Sequence, residues 1–119
     1  MTMLISFPGP NLKWKELPGT SGLVQYANVR GDVLGDGPYE AFLSVRAGTE
    51  HGPRLHSVDL TVVVLGGTYY VVDHGKLTEH PAGSYFHVPA GHPYESGARP
   101  GRDCLIFQQQ PAGFDLTPA

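Results

Sequence analysis

Six histidines, His51, His56, His74, His80, His87 and His92, are the side chains of this 119-residue chain best suited to chemistry near neutral pH. Imidazole titrates there and serves as acid, base or metal ligand. His56 follows Arg54 by two positions, and alternate residues of a strand share a face. Across 54–65 the even positions read Arg54, His56, Val58, Leu60, Val62 and Val64, against Leu55, Ser57, Asp59, Thr61, Val63 and Leu65. The even set is the more apolar. It predicts that His56 and Arg54 sit at the mouth of the interior that Val62 and Val64 fill, with Asp59 turned away. A guanidinium on that face must be paired or bind an anion, unless the strand end places it in water. The single cysteine, Cys104, excludes an intrachain disulfide and a cysteine-based zinc site, and reads as a small core residue.

The elements that carry these residues must be short. Sixteen glycines and eleven prolines interrupt the chain so often that most stretches between them have nine residues or fewer. Only Arg54–Leu65 reaches twelve, and its second half, Leu60-Thr-Val-Val-Val-Leu65, is β-branched and apolar. Helices need ten to twelve residues or more, roughly, and strands about four to eight. Short strands joined by Gly/Pro turns mean an all-β sandwich or barrel in one domain. In 39–47 the odd positions Tyr39, Ala41, Leu43, Val45 and Ala47 form the core face. Phe86 and Val88 face inward, which turns Tyr85 and His87 out. Tyr69 and Tyr70 lie on opposite faces of one strand, so only one lines the interior; Tyr70 is assigned to it. A single glutamine of the run Gln108-Gln109-Gln110 could reach the site, but the run reads as an exposed edge.

Apolar residues make up 40% of the chain and charged residues 16%, with a net charge of −3. That balance argues for a folded domain and against intrinsic disorder. No Lys/Arg run offers an electrostatic footprint for nucleic acid or an anionic membrane. No apolar stretch has the length of a membrane span, and the N-terminus lacks a signal-peptide pattern. A reduced, cytoplasmic setting is expected. The apolar segment Leu4-Ile5-Ser6-Phe7 has no place inside a closed barrel and is free to pair across a two-fold axis, which predicts a homodimer.

Two stretches carry a family resemblance. They are His56-Ser-Val-Asp-Leu-Thr-Val-Val-Val-Leu-Gly-Gly-Thr-Tyr69 and Gly83-Ser-Tyr-Phe-His-Val-Pro-Ala-Gly-His-Pro-Tyr94. They resemble the two motifs of the cupin superfamily, the second through Gly83 spaced from Pro89-Ala90-Gly91. With Gly31-Asp32, Gly37-Pro38-Tyr39 and Arg46-Ala47-Gly48, the chain is similar to small monocupins. Among these are diketone- and acetophenone-cleaving dioxygenases and the cupin part of anti-sigma factors. The resemblance implies a double-stranded β-helix, a jelly-roll barrel spanning the single domain 1–119. Its core would run over about 14–114 behind an N-terminal arm, 1–13, with the site in the barrel mouth. It also implies four metal-ligand positions, held here by Arg54, His56, Leu60 and Tyr94 when Gly67 is set as the motif's glycine. Only His56 can ligate in the usual way. Leucine cannot coordinate, and an arginine repels a dication.

Three functional readings follow. In the first, no metal is held: His56 takes a proton next to a carbonyl, and Arg54 or Tyr94 stabilises the oxyanion. Leu60, Tyr70, Phe86 and Phe107 would line an apolar wall for an aromatic or polyketide-like small molecule. Isomerisation, cyclisation, dehydration and a retro-aldol step all suit such a site. In the second, His51, His56 and His92 form a rearranged site for one divalent metal (Fe, Zn or Ni) of a dioxygenase; alternatively His51 and His92 are surface loop residues. In the third, the cavity binds or senses a ligand without turnover.

Overall fold

The computed structural model describes residues 3–115 and the backbone of 117–118. Strands form where β-branched and aromatic residues alternate with polar ones, and most stop at or near a glycine or proline, although Glu50–Leu55 runs through Gly52 and Pro53 and Tyr94–Ala98 through Gly97. They are β1 (Lys15–Glu16), β2 (Val24–Arg30), β3 (Tyr39–Val45), β4 (Glu50–Leu55), β5 (Leu60–Gly66), β6 (Thr68–Asp73), β7 (Lys76–Pro81), β8 (Tyr85–Val88), β9 (Tyr94–Ala98), β10 (Cys104–Gln110) and β11 (Thr117–Pro118). The only helical turn among the described residues is a 3-10 turn, Gly9–Asn11. Two antiparallel sheets result, β1-β2-β3-β10-β5-β8 and β11-β4-β9-β6-β7. This is an all-β jelly roll, as the short strands and Gly/Pro turns imply. Among the described residues no helix is long and apolar enough to cross a membrane.

The expected alternation holds in β3, where Tyr39, Ala41, Leu43 and Val45 are buried and Glu40, Phe42 and Ser44 lie nearer the surface. These side chains meet Val62 and Val64 of β5, Ile106 of β10 and Val24 of β2 in one apolar core. Full burial of each aliphatic side chain contributes roughly 1.5–3 kcal/mol. Phe86 is partly buried against this core and Val88 is within it, while Tyr85 and His87 are exposed. Cys104 is buried and unpaired.

Two readings need correction. Residues 54–65 are not one strand: β4 ends at Leu55, β5 begins at Leu60, and 56–59 crosses from one sheet to the other. His56 therefore lies in the crossover, where a continuous strand register no longer decides its face. The glutamine run is not an edge either. β10 lies inside its sheet between β3 and β5, with Gln108 and Gln110 buried and Gln109 exposed.

Met3, Leu4, Ile5 and Phe7 are 76%, 93%, 48% and 46% exposed. We propose that this exposed apolar arm is buried against a second copy of the chain. We expect light scattering at micromolar concentration to give twice the 12.8 kDa chain mass, and removal of residues 1–7 to shift it to the single-chain value. A full-length chain of single mass would contradict the dimer.

Candidate active site

Between the two sheets lies a cavity of about 620 Å³. The four positions aligned with metal ligands, Arg54, His56, Leu60 and Tyr94, all line it. Arg54 and Tyr94 are directly opposite each other in the β4–β9 pair, which puts both on one face of the sheet. Leu60 comes from β5, across the crossover that carries His56.

His56 is 2% exposed and both of its ring nitrogens are engaged. Nδ1 donates to the backbone carbonyl of Asp115, and Nε2 lies 2.8 Å from the Tyr94 hydroxyl. A carbonyl can only accept, so Nδ1 carries the hydrogen. Burial lowers the His56 pKa, against an opposing pull from the Asp115 carbonyl and carboxylate. The ring is then neutral, Nε2 bears a lone pair, and Tyr94 donates its proton to it. Burial raises the Tyr94 pKa far above the usual phenol value, so the donor stays protonated. Phe114 packs edge-on against the imidazole at 5.5 Å, and the Asp115 carboxylate accepts from the Ser57 amide at 3.1 Å. The segment after β10 thus fixes the ring and its tautomer.

The remaining candidates divide. His51 lines the cavity, half-buried, its pKa lowered by burial and then by Arg54. Arg54 Nη1 donates to the Pro53 carbonyl at 2.9 Å. Phe86 lines the cavity as expected. Tyr70 does not: it faces outward beneath the Arg99 guanidinium, 5.9 Å from its ring centroid, and Tyr69 takes the inward position. Tyr69 stacks on Phe86 and shares a 3.2 Å hydrogen bond with Ser96, and burial pushes its pKa up to about 12. Phe107 also faces away, packing edge-on against Phe42 at 5.2 Å, because Ile106 and Gln108 hold the inward positions of β10. Gln108 also lines the cavity, against the edge reading of its run. Its amide is bonded to Tyr39 at 2.7 Å, and Tyr39 to Gln110 at 2.6 Å, so a polar chain runs through the sheet below the cavity.

His92 corrects the second reading. It lies outside the cavity, with Nε2 2.8 Å from Asp73 Oδ1, and does not join His51 and His56. At the four motif positions only His56 offers a neutral metal donor. Its Nε2 is taken up by Tyr94, whose phenol burial keeps from ionising. Leu60 offers no donor and Arg54 brings a positive charge. The residues present therefore do not fit a three-histidine, one-carboxylate centre.

These neutral imidazoles make stability pH-dependent. An unfolded histidine titrates near 6.5. Below that pH the unfolded chain takes up protons that folded His51 and His56 resist, so stability is full above pH 6.5 and falls with acidification until pH passes the lowered folded values. We expect the urea midpoint to be level from pH 7 to 8 and to fall from 6.5 to 5, with a shallower fall in His51→Gln. A midpoint rising over that lower range would contradict the assignment.

The strand order is that of a jelly roll, and the fold is shared with a protein described as an RmlC-like cupin. No protein-family model and no curated protein matches the sequence. Among solved structures, the polyketide cyclase RemF from Streptomyces resistomycificus is similar at a TM-score of 0.80 and 17% identity, over 98% of this chain and 86% of RemF. An RmlC-like cupin protein from Ralstonia eutropha is similar at 0.71 and 19%, over 88% of this chain and 66% of that one. Salicylate 1,2-dioxygenase from Pseudoaminobacter salicylatoxidans is similar at 0.61 and 24%, over 75% of this chain and 25% of the enzyme. At these identities the likeness establishes the fold.

Proposed function

We propose that this chain is an enzyme that moves a proton at the carbon next to a carbonyl of an aromatic or polyketide-like small molecule, without a metal at the usual cupin position. The observation that carries this reading is the buried His56–Tyr94 pair, 2.8 Å apart, in a cavity lined by both apolar and polar side chains. A substrate carbonyl that takes the Tyr94 hydrogen bond frees the Nε2 lone pair. Nε2 then removes the α-proton, and the electron pair of the C–H bond moves to the carbonyl oxygen as the enolate. Tyr94, and Arg54 from the adjacent strand, stabilise that oxyanion. The imidazolium is stabilised through Nδ1–H by the Asp115 carbonyl, and it returns the proton to carbon or to a leaving oxygen. Tyr69, Phe86 and Leu60 offer the flat and apolar surface that holds the body of the molecule.

The class of chemistry includes isomerisation, cyclisation, dehydration and retro-aldol cleavage, which share the enolate. RemF, a cyclase by name, lends weight to the cyclase branch. The dioxygenase branch loses its third histidine to Asp73. The test is deuterium incorporation from D2O at the α-carbon of aryl methyl ketones and aryl β-keto acids, followed by NMR. The wild-type protein should accelerate exchange well above buffer. Tight binding of these probes without exchange would overturn the reading in favour of a binding protein.

A further inference from the structure

Outside the cavity, one cluster of side chains points to a ligand of its own. We propose that Asp73, His74 and His92 form a surface site for a single borderline transition-metal dication such as Zn²⁺. His92 Nε2 lies 2.8 Å and His74 Nδ1 3.0 Å from the same oxygen, Asp73 Oδ1, and the three donor atoms all lie within 4.8 Å of one another. A tetrahedral Zn²⁺ at about 2.0–2.2 Å from each donor sets neighbouring donors roughly 3.3 Å apart. The two histidine–carboxylate spacings need to open by only a few tenths of an ångström, and the two imidazole donors, within 4.8 Å of each other, adjust toward the same value while each imidazole shifts its hydrogen to the other ring nitrogen. Two neutral imidazoles and one carboxylate suit a borderline ion better than Mg²⁺ or Ca²⁺, which favour oxygen.

The backbone presents these donors from two separate elements. Asp73 ends β6 and pairs in register with Lys76, which leaves His74 and Gly75 as a two-residue hairpin turn with φ of +51° and +78°. Such turns favour Asn or Gly at the first position, and here a histidine holds it. His92 comes from the β8–β9 connection, which is held by hydrogen bonds from the Gly91 amide to the His56 carbonyl (2.8 Å) and from the His92 amide to the Pro89 carbonyl (3.1 Å). The side chains of His74, Asp73 and His92 are 85%, 50% and 33% exposed, which leaves the remaining coordination positions to water. None of the three lines the barrel cavity.

The experiment titrates Zn²⁺ into the full-length, chelator-stripped protein at pH 7.5 in competition with a chromophoric zinc indicator. One equivalent should bind. Affinity should fall by at least about ten-fold in His92→Ala and in His74→Ala, the floor expected even for losing an outer-shell partner. It should be unchanged in His51→Gln. Zn²⁺ should also raise the melting temperature of the wild type and not of His92→Ala, because the ion ties the hairpin to the loop. Absence of binding, affinity unchanged by both alanine variants, or loss of binding in His51→Gln would overturn the site.

Discussion

Replacing His56 with glutamine is expected to lower the α-proton exchange rate about 10²–10⁴-fold, the range associated with a positioned general base. Glutamine keeps a donor for the Asp115 carbonyl and much of the packing against Phe114, so the variant should fold with a loss of about 1–2 kcal/mol. Tyr94→Phe should cost about 10²–10³-fold, the range seen when one oxyanion donor is removed. It leaves the His56 lone pair buried without its donor. Because the two groups act on one proton and one oxygen, the double variant should be little slower than His56→Gln alone. Additive losses measured by NMR exchange would mean that the two side chains work independently.

The second large effect is on stability. Gly67, the glycine of the first motif, has φ of +71°, and a Cβ there would stand 2.6 Å from the Asp103 carbonyl and 3.0 Å from Cys104 Sγ. Gly67→Ala combines a left-handed backbone, about 1–2 kcal/mol, with overpacking against fixed neighbours, about 1–3 kcal/mol. A loss of about 2–5 kcal/mol in urea unfolding is expected. Gly75 has φ of +78° with nothing within 4 Å of its Cβ position, so Gly75→Ala should cost only the backbone part, about 1 kcal/mol. Equal losses at the two positions would show that the Asp103 contact gives way freely.

The alternation in β3 and the inward Phe86 and Val88 were legible because period-two patterns with one apolar face admit a single orientation. Arg54, His56, Leu60 and Tyr94 were legible as a group through the motif spacing, although the chain breaks between β4 and β5. The failures have separate causes. Tyr69 and Tyr70 are chemically alike, and parity separates their faces without saying which is inner; packing on Phe86 decides it. Phe107 was expected to line the cavity, whereas Gln108 and Gln110 take the inner positions of the strand and are linked through the Tyr39 hydroxyl. The run of three glutamines hid a central strand. Asp115 escaped notice because it comes from a segment remote in sequence, and its bond to the buried imidazole is made by a backbone carbonyl that no side-chain pattern reveals. His92 lies two residues before Tyr94, yet the loop turns it to Asp73, and strand spacing says nothing about loops.

His56 and Tyr94 are proposed to perform the proton transfer with no metal in the barrel. The most direct test is the deuterium exchange rate given by the 119-residue chain before and after exhaustive chelation, and again after addition of Fe(II), Zn²⁺ or Ni²⁺. An unchanged rate is expected at every stage. Loss on chelation with recovery on adding one of these ions would contradict it.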